Sequence, residues 1–176
     1  MRKQFFLDLI TRLKTIKNDD DYYNPSDAIK HFDLWNNNTE YLQQSNVFAF
    51  PAVFIEFLPI VWHNIGKKTQ QADLDFRLHI LTESLALSAD NSQFQSQALT
   101  HLDLIDRINY CLAQWEGTDY TALISRTQSL TDNNHNSILH NIEVFRTRIE
   151  DNSACFIPTH FYNPALKISG EIIHKL

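Results

Sequence analysis

From Asp73 to Ile80 the chain alternates without a break: Leu74, Phe76, Leu78 and Ile80 fall on one side, and Asp73, Asp75, Arg77 and His79 on the other. Successive side chains of an extended strand leave opposite faces of a sheet. The pattern therefore predicts a half-buried antiparallel strand. One face must meet a core. The other, with charges of both signs, meets water or another subunit. A sheet with one apolar face needs a second layer to cover it, and this requirement organises the rest of the chain.

The stretch Val47 to Val61 is the most apolar part of the sequence. Ala52-Val53-Phe54-Ile55-Glu56-Phe57-Leu58 lies between Pro51 and Pro59 and is rich in β-branched and aromatic residues, which predicts a second strand. Glu56 is the one charge inside it, read as an exposed or edge-of-core carboxylate. A catalytic role would need a second polar group converging on it, and the sequence offers no candidate. Gly66-Lys67-Lys68 suits a hairpin connection into the alternating run. A less distinct strand is expected over Ile29–Trp35, ahead of the turn signal Asn36-Asn37-Asn38.

Two segments carry helical periodicity. In the first, Phe6, Leu9, Ile10, Leu13 and Ile16 recur at helical spacing, and Asn18-Asp19-Asp20-Asp21 ends it as a solvated loop. In the second, Ala98 to Trp115, the expected apolar stripe is Ala98, Leu102, Ile105, Ile108, Leu112 and Trp115, with Gly117 as the stop signal. Asp103, Asp106 and Arg107 fall outside that stripe.

Two more strands follow, Ala122–Leu130 and Ser137–Ile149, around Asp132-Asn133-Asn134-His135-Asn136. Ile124, Arg126, Gln128 and Leu130 are expected to share one side of the first. In the second, Ile138, His140, Ile142 and Val144 oppose Leu139, Asn141, Glu143 and Phe145. The order predicts an α+β, two-layer domain: a mostly antiparallel sheet of four to five strands with two amphipathic helices on one face. Residues 1–150 read as a single domain. Residues 151–176, with Pro158 and Pro164, read as an extended arm that ends in a short strand over Leu166–Ile173.

Composition removes several functions. With 15 Lys and Arg against 21 Asp and Glu, the net charge of −6 leaves no basic stripe to grip a phosphate backbone. Three glycines cannot furnish the phosphate-cradling loops. His135 and His140, five apart, read as polar surface, and no histidine pairs with cysteine at zinc spacing. Cys111 and Cys155 read as reduced thiols, one on a helix stripe, as expected of a protein that folds in a reducing cytoplasm. The first sixteen residues lack the pattern of a signal peptide, and no apolar run is long enough to span a membrane. No cofactor, metal site or catalytic group is expected, and the reading is non-enzymatic.

Several phrases in this order resemble the tail terminator, or tail completion, proteins of long-tailed phages and related contractile injection devices. They are Phe50-Pro51-Ala52-Val53-Phe54-Ile55-Glu56-Phe57, Gln71-Ala72-Asp73-Leu74-Asp75-Phe76-Arg77-Leu78-His79-Ile80, Leu102-Asp103-Leu104-Ile105-Asp106-Arg107-Ile108 and the closing hairpin around Asp132. The resemblance covers roughly residues 1–150. It implies a structural virion protein of a phage or prophage: a homohexameric ring at the head-proximal end of the tail tube. The ring would stop tube polymerisation and join tail to head connector, with DNA passing through it unread. Its partners would be itself, the tube protein and the neck protein. A closed ring uses heterologous interfaces. On this reading Phe54, Glu56, Asp75, Arg77 and His79 supply a subunit contact, and Lys67, Lys68, Asp132 and Asn134 sit in loops that reach neighbouring rings. The arm departs from the shortest family pattern and is expected to wrap a neighbour.

Two other readings stand beside it. Another neck or head-completion protein shares ring assembly but would bind the portal side. A small acidic binding module, such as an immunity protein, fits the charge and would form a one-to-one complex with a basic toxin.

Overall fold

The computed structural model describes residues 1–41, 48–83, 90, 92–93, 95–115, 117, 123–134 and 138–155. The alternating run is the middle of β4 (Gln70–Glu83), which pairs antiparallel along its whole length with β6 (Ile138–Asp151). These two strands form the spine of a six-stranded sheet. β2 (Ala52–Phe57) lies against the other side of β4, and β1 (His31–Leu34) lies outside β2. β5 (Ser125–Asp132) closes the far edge beside β6. The two-residue β3 (His63–Asn64) turns back onto β4 at Gln70 and Gln71 through the Gly66 hairpin.

The helices are α1 (Arg2–Leu13), the one-turn α2 (Gln95–Ala98) and α3 (Thr100–Leu112). α1 presents Phe5, Leu9 and Leu13 to the sheet, and α3 presents Leu104, Ile105, Ile108, Cys111 and Leu112. Both pack on the face that carries Val53, Ile55, Leu74, Phe76, Leu78, Ile80, Phe145 and Ile149, in one continuous core. Phe76 is its hub, edge-on to Phe5 at 5.1 Å and stacked with Phe145 at 5.7 Å between ring centroids. Arg12 Nε donates to the Cys111 carbonyl at 2.9 Å and ties the helices together. The α+β, two-layer arrangement with helices on one face is thus realised.

Four details differ from the sequence reading. The α1 stripe adds the fully buried Phe5, with the expected Phe6 and Ile10 half-buried at its edge. In α3, Leu104 and Cys111 are buried while Leu102 is exposed, because the burying arc is turned by about half a residue step from the predicted one. α3 ends at Leu112, well before Gly117; Gln114 takes the left-handed conformation (φ 58°), and its N–H donates to the Ile124 carbonyl at 3.1 Å. Finally, a register shift between Arg126 and Gln128 makes Thr127 a bulge in β5. An inserted residue reverses the faces beyond it. Arg126 sits opposite Phe145 on the helix side, while Gln128 and Leu130 lie opposite Val144 and Ile142 on the other. The expected common side of Arg126, Gln128 and Leu130 does not exist.

β1 runs parallel to β2, the one parallel pair of a sheet otherwise antiparallel among the described strands. Parallel neighbours need a crossover connection. Here the connection lays Trp35, Phe48 and Phe50 over Ala52, Phe54, Leu81 and Ile138, a small second core on the sheet face away from the helices. The strand expected over Leu166–Ile173 and most of the proposed arm lie outside the described residues.

Candidate functional site

The sheet face away from the helices carries most of the predicted site residues. Odd-numbered positions of β4 point to it, as do Phe54 and Glu56 of β2 and the even-numbered positions of β6. The face divides into two halves. Towards the N-terminal end of β4 it is ionic. Asp75 receives both Nε and a terminal nitrogen of Arg146 at 2.7 Å, and Asp73 accepts from Arg148 Nε at 2.9 Å. Glu56 accepts from Arg77 at 3.1 Å. These are cross-strand neighbours, so the sheet itself sets their spacing. Arg146 holds the Asp75 carboxyl below its ordinary range, chiefly by its hydrogen bonds, and Asp75 in turn raises Arg146.

Towards the other end the face is covered. Phe54 is fully buried beneath Phe48, with centroids 4.9 Å apart, and beside His31 at 5.5 Å. The Trp35 indole lies flat on the His79 ring, 3.8 Å away and parallel to within 1°. Beneath Trp35 a polar chain crosses three strand boundaries. His79 Nε2 meets Glu56 Oε2 at 3.0 Å, His79 Nδ1 meets His140 Nε2 at 2.9 Å, and His140 Nδ1 reaches Asp132 Oδ2 at 3.4 Å. Both imidazoles are almost wholly buried. Burial lowers the His79 pKa below that of a free imidazole, and Glu56 offsets only part of this. For Glu56, burial alone would raise the pKa, but hydrogen bonds from His79 and Arg77 outweigh it and hold the carboxylate below its ordinary range.

The predicted residues therefore separate. Glu56, Asp75, Arg77, His79 and Asp132 share one face, and Glu56, His79 and Asp132 are joined through His140. Phe54 and His79 are enclosed within the protomer, so only the atoms above them are open to a partner. Lys67 and Lys68 are exposed at the Gly66 hairpin, where the Lys68 carbonyl accepts from the Cys155 thiol at 3.6 Å. Asn134 is exposed after β5, its N–H donating to Asp132 at 3.0 Å. His140, expected at the surface, is buried: its strand position places it beside Leu81 and under Trp35. The partner that the sequence could not find for Glu56 is the pair Arg77, directly opposite it on β4, and His79, two residues further along that strand.

A second buried polar cluster lies on the helix side near β5. Glu143 is buried and accepts from Ser129 Oγ at 2.6 Å and from Arg126 at 3.1 Å. It satisfies itself within the protomer. The acidic loop also closes on itself: Asp20 accepts from the Ser26 N–H and hydroxyl, and Asp21 from the Tyr23 N–H at 2.9 Å. Both cysteines are free, Cys111 buried and Cys155 exposed.

No family model matches the sequence, and no curated protein matches it. Among solved structures, a chain described as "Virion of native gene transfer agent (GTA) particle" matches with 11% identity and a TM-score of 0.44, over 69% of this chain and 79% of that one. A likeness at that level assigns no function.

Proposed function

We propose that the protein is a structural component of a phage-like tail, a terminator that caps the head-proximal end of the tail tube as a ring and joins it to the head connector. The sequence resemblance supports this reading, and one observation carries it: the ionic half of the sheet face has no covering layer among the described residues. Glu56–Arg77, Asp75–Arg146 and Asp73–Arg148 form an ordered array of both signs across three strands. Such an array is a poor catalytic constellation, since its groups neutralise one another and converge on no common point. It is a good mixed contact for a neighbouring subunit, where a polar rim sets register. The subunit contact is then Glu56, Asp75 and Arg77, with Lys67, Lys68, Asp132 and Asn134 in loops at its ends. Phe54 and His79 stiffen the face from below. The domain spans residues 1–150, and the arm after it reaches the next subunit.

Electron microscopy of the tagged, gold-labelled protein mixed with its tail-tube protein tests the role. Label at one end of length-limited tubes is the expected result. Unlabelled, freely growing tubes would remove it, and a one-to-one complex with a basic toxin would put an immunity role in its place.

A further inference from the structure

Two exposed patches lie off the ionic face, and each is held in place by its own bonds. One is the loop between α1 and β1. Tyr22 and Tyr23 stand 93% and 92% exposed there, edge-on to each other with ring centroids 5.3 Å apart. The loop beneath them is pinned. The Asn18 N–H donates to the Ser26 carbonyl at 2.8 Å, the Ser26 N–H donates to Asp20 at 3.0 Å, and Lys17 pairs with Asp27. The loop borders an open cleft of about 340 Å³ lined by Lys17, Asn18, Asp19, Asp21, Tyr22 and Pro25. Lys17 is committed to Asp27 and Arg107 to the Lys17 carbonyl, so Asp19 and Asp21 give the cleft its sign. An aromatic wall beside carboxylates suits an ammonium group.

The other patch is the Gly66 hairpin. Val61 and Ile65 are 70% and 53% exposed, and Lys67 and Lys68 follow in the turn. The Thr69 carbonyl accepts from the Ile65 N–H at 3.1 Å and the Gly66 N–H at 3.3 Å, and Gln70 donates to the Asn64 side chain at 3.0 Å. The Cys155 thiol donates to the Lys68 carbonyl and braces the turn from the side. Apolar side chains exposed on a backbone already fixed offer contact area at a small cost in ordering.

The two patches are complementary, aliphatic and basic against aromatic and acidic, but they lie at opposite ends of the sheet. The loop leads into β1 at His31, which faces Ala52, and Ala52 faces Leu81 of β4. The hairpin leaves β4 at its other end, where His63 faces Gln71. From Gln71 to Leu81 runs about 33 Å of strand. A protomer cannot seat its own hairpin on its own loop.

We infer that the hairpin of one copy docks on the Tyr22–Tyr23 loop of another. The Lys67–Lys68 turn enters the cleft beside Asp19 and Tyr22, and Val61 and Ile65 lie on the tyrosine rings. The contact joins unlike surfaces, so it is heterologous and passes from copy to copy, into a ring where rotation closes it and into a file where it does not. Tyrosine anchors with a charged surround are the composition expected of such a contact. The inference goes beyond the tail role, since the contact needs no tube protein to form.

Sedimentation velocity on the full chain tests it with two variants. The hairpin variant is Ile65→Ser with Lys67→Gln and Lys68→Gln. The loop variant is Asp19→Asn with Tyr22→Ser and Tyr23→Ser, which spares the Asp20 and Asp21 bonds that shape the loop. Every substituted side chain is exposed, so both variants should melt with the parent. The parent should form species larger than a dimer as its concentration rises, and each variant alone should lose that association. Mixed in equal amounts, the variants should form a one-to-one dimer and nothing larger, because one intact loop then meets one intact hairpin. A parent that stays monomeric, variants that associate like the parent, or a mixture that stays monomeric would each overturn the contact. None of these three results bears on end-labelled tubes, so the tail role stands or falls separately.

Discussion

The two faces of β4 are built from the same strand and hold by different physics. On the helix side, Leu74, Phe76, Leu78 and Ile80 are removed from water by α1 and α3, and shape complementarity does the work. On the other side, Asp73, Asp75, Arg77 and His79 hold through partners on β2 and β6. The first face tolerates any side chain of the right size and loses stability in proportion to what is removed. The second is sensitive to charge and proton count, and its individual pairs contribute little where they are exposed. A strand of this kind gives the protomer its stability on one side and leaves the other free to be specific.

The largest effect should come from the helix side. Phe76→Ala removes the ring shared by Phe5 and Phe145 and should cost about 3–5 kcal/mol, seen as a lower denaturant midpoint. A loss of under about 1 kcal/mol would mean that the two faces do not differ as described. Next comes the buried carboxylate on that side. Ser129→Ala strips Glu143 of its 2.6 Å hydroxyl partner and should cost about 2 kcal/mol. Equal midpoints for the variant and the parent would show that Glu143 is solvated through another route.

The pH dependence sharpens the contrast. His79 and Glu56 both have folded pKa values depressed below their ordinary 6.5 and 4.5. The stability each contributes is present above the unfolded value and is lost as pH falls through the folded one. Thermal midpoints should therefore fall with pH below about 6.5, first through His79 and later through Glu56. His79→Gln should flatten the first part of that fall and leave the second. The smallest effect belongs to the exposed ionic half: Arg148→Ala should leave the melting temperature within about 2 °C of the parent. A larger drop would show that the array stabilises the isolated protomer.

The helix side was legible in the sequence because its signal is local. Alternation over Asp73–Leu81 and the spacing of Leu9 and Leu13 are properties of neighbours in the chain, and they located β4 and α1 directly. The errors lie where geometry departs from a fixed period. The bulge at Thr127 adds one residue to β5, which no alternation count on Arg126, Gln128 and Leu130 can anticipate. In α3 the apolar residues Leu102, Leu104 and Ile105 allow more than one stripe, and contact with α1 selects the one through Leu104 and Cys111. The polar chain was invisible for another reason. Glu56, His79, Asp132 and His140 come from four strands, and only the registers of β2, β4, β5 and β6 bring them together. The stretch Ile29–Trp35 showed a strand, but not that Trp35 would seal that chain.

The most direct test of the assembly role is a charge swap on the ionic face, Asp75→Arg with Arg146→Asp. The swap preserves the pair within the protomer and inverts the pattern offered to a neighbour. The account predicts that the swapped protein folds with an unchanged melting temperature and no longer forms rings on tube ends in electron micrographs, whereas Asp106→Lys on the exposed side of α3 still does. Rings indistinguishable from those of the parent would contradict the assignment of this face to assembly.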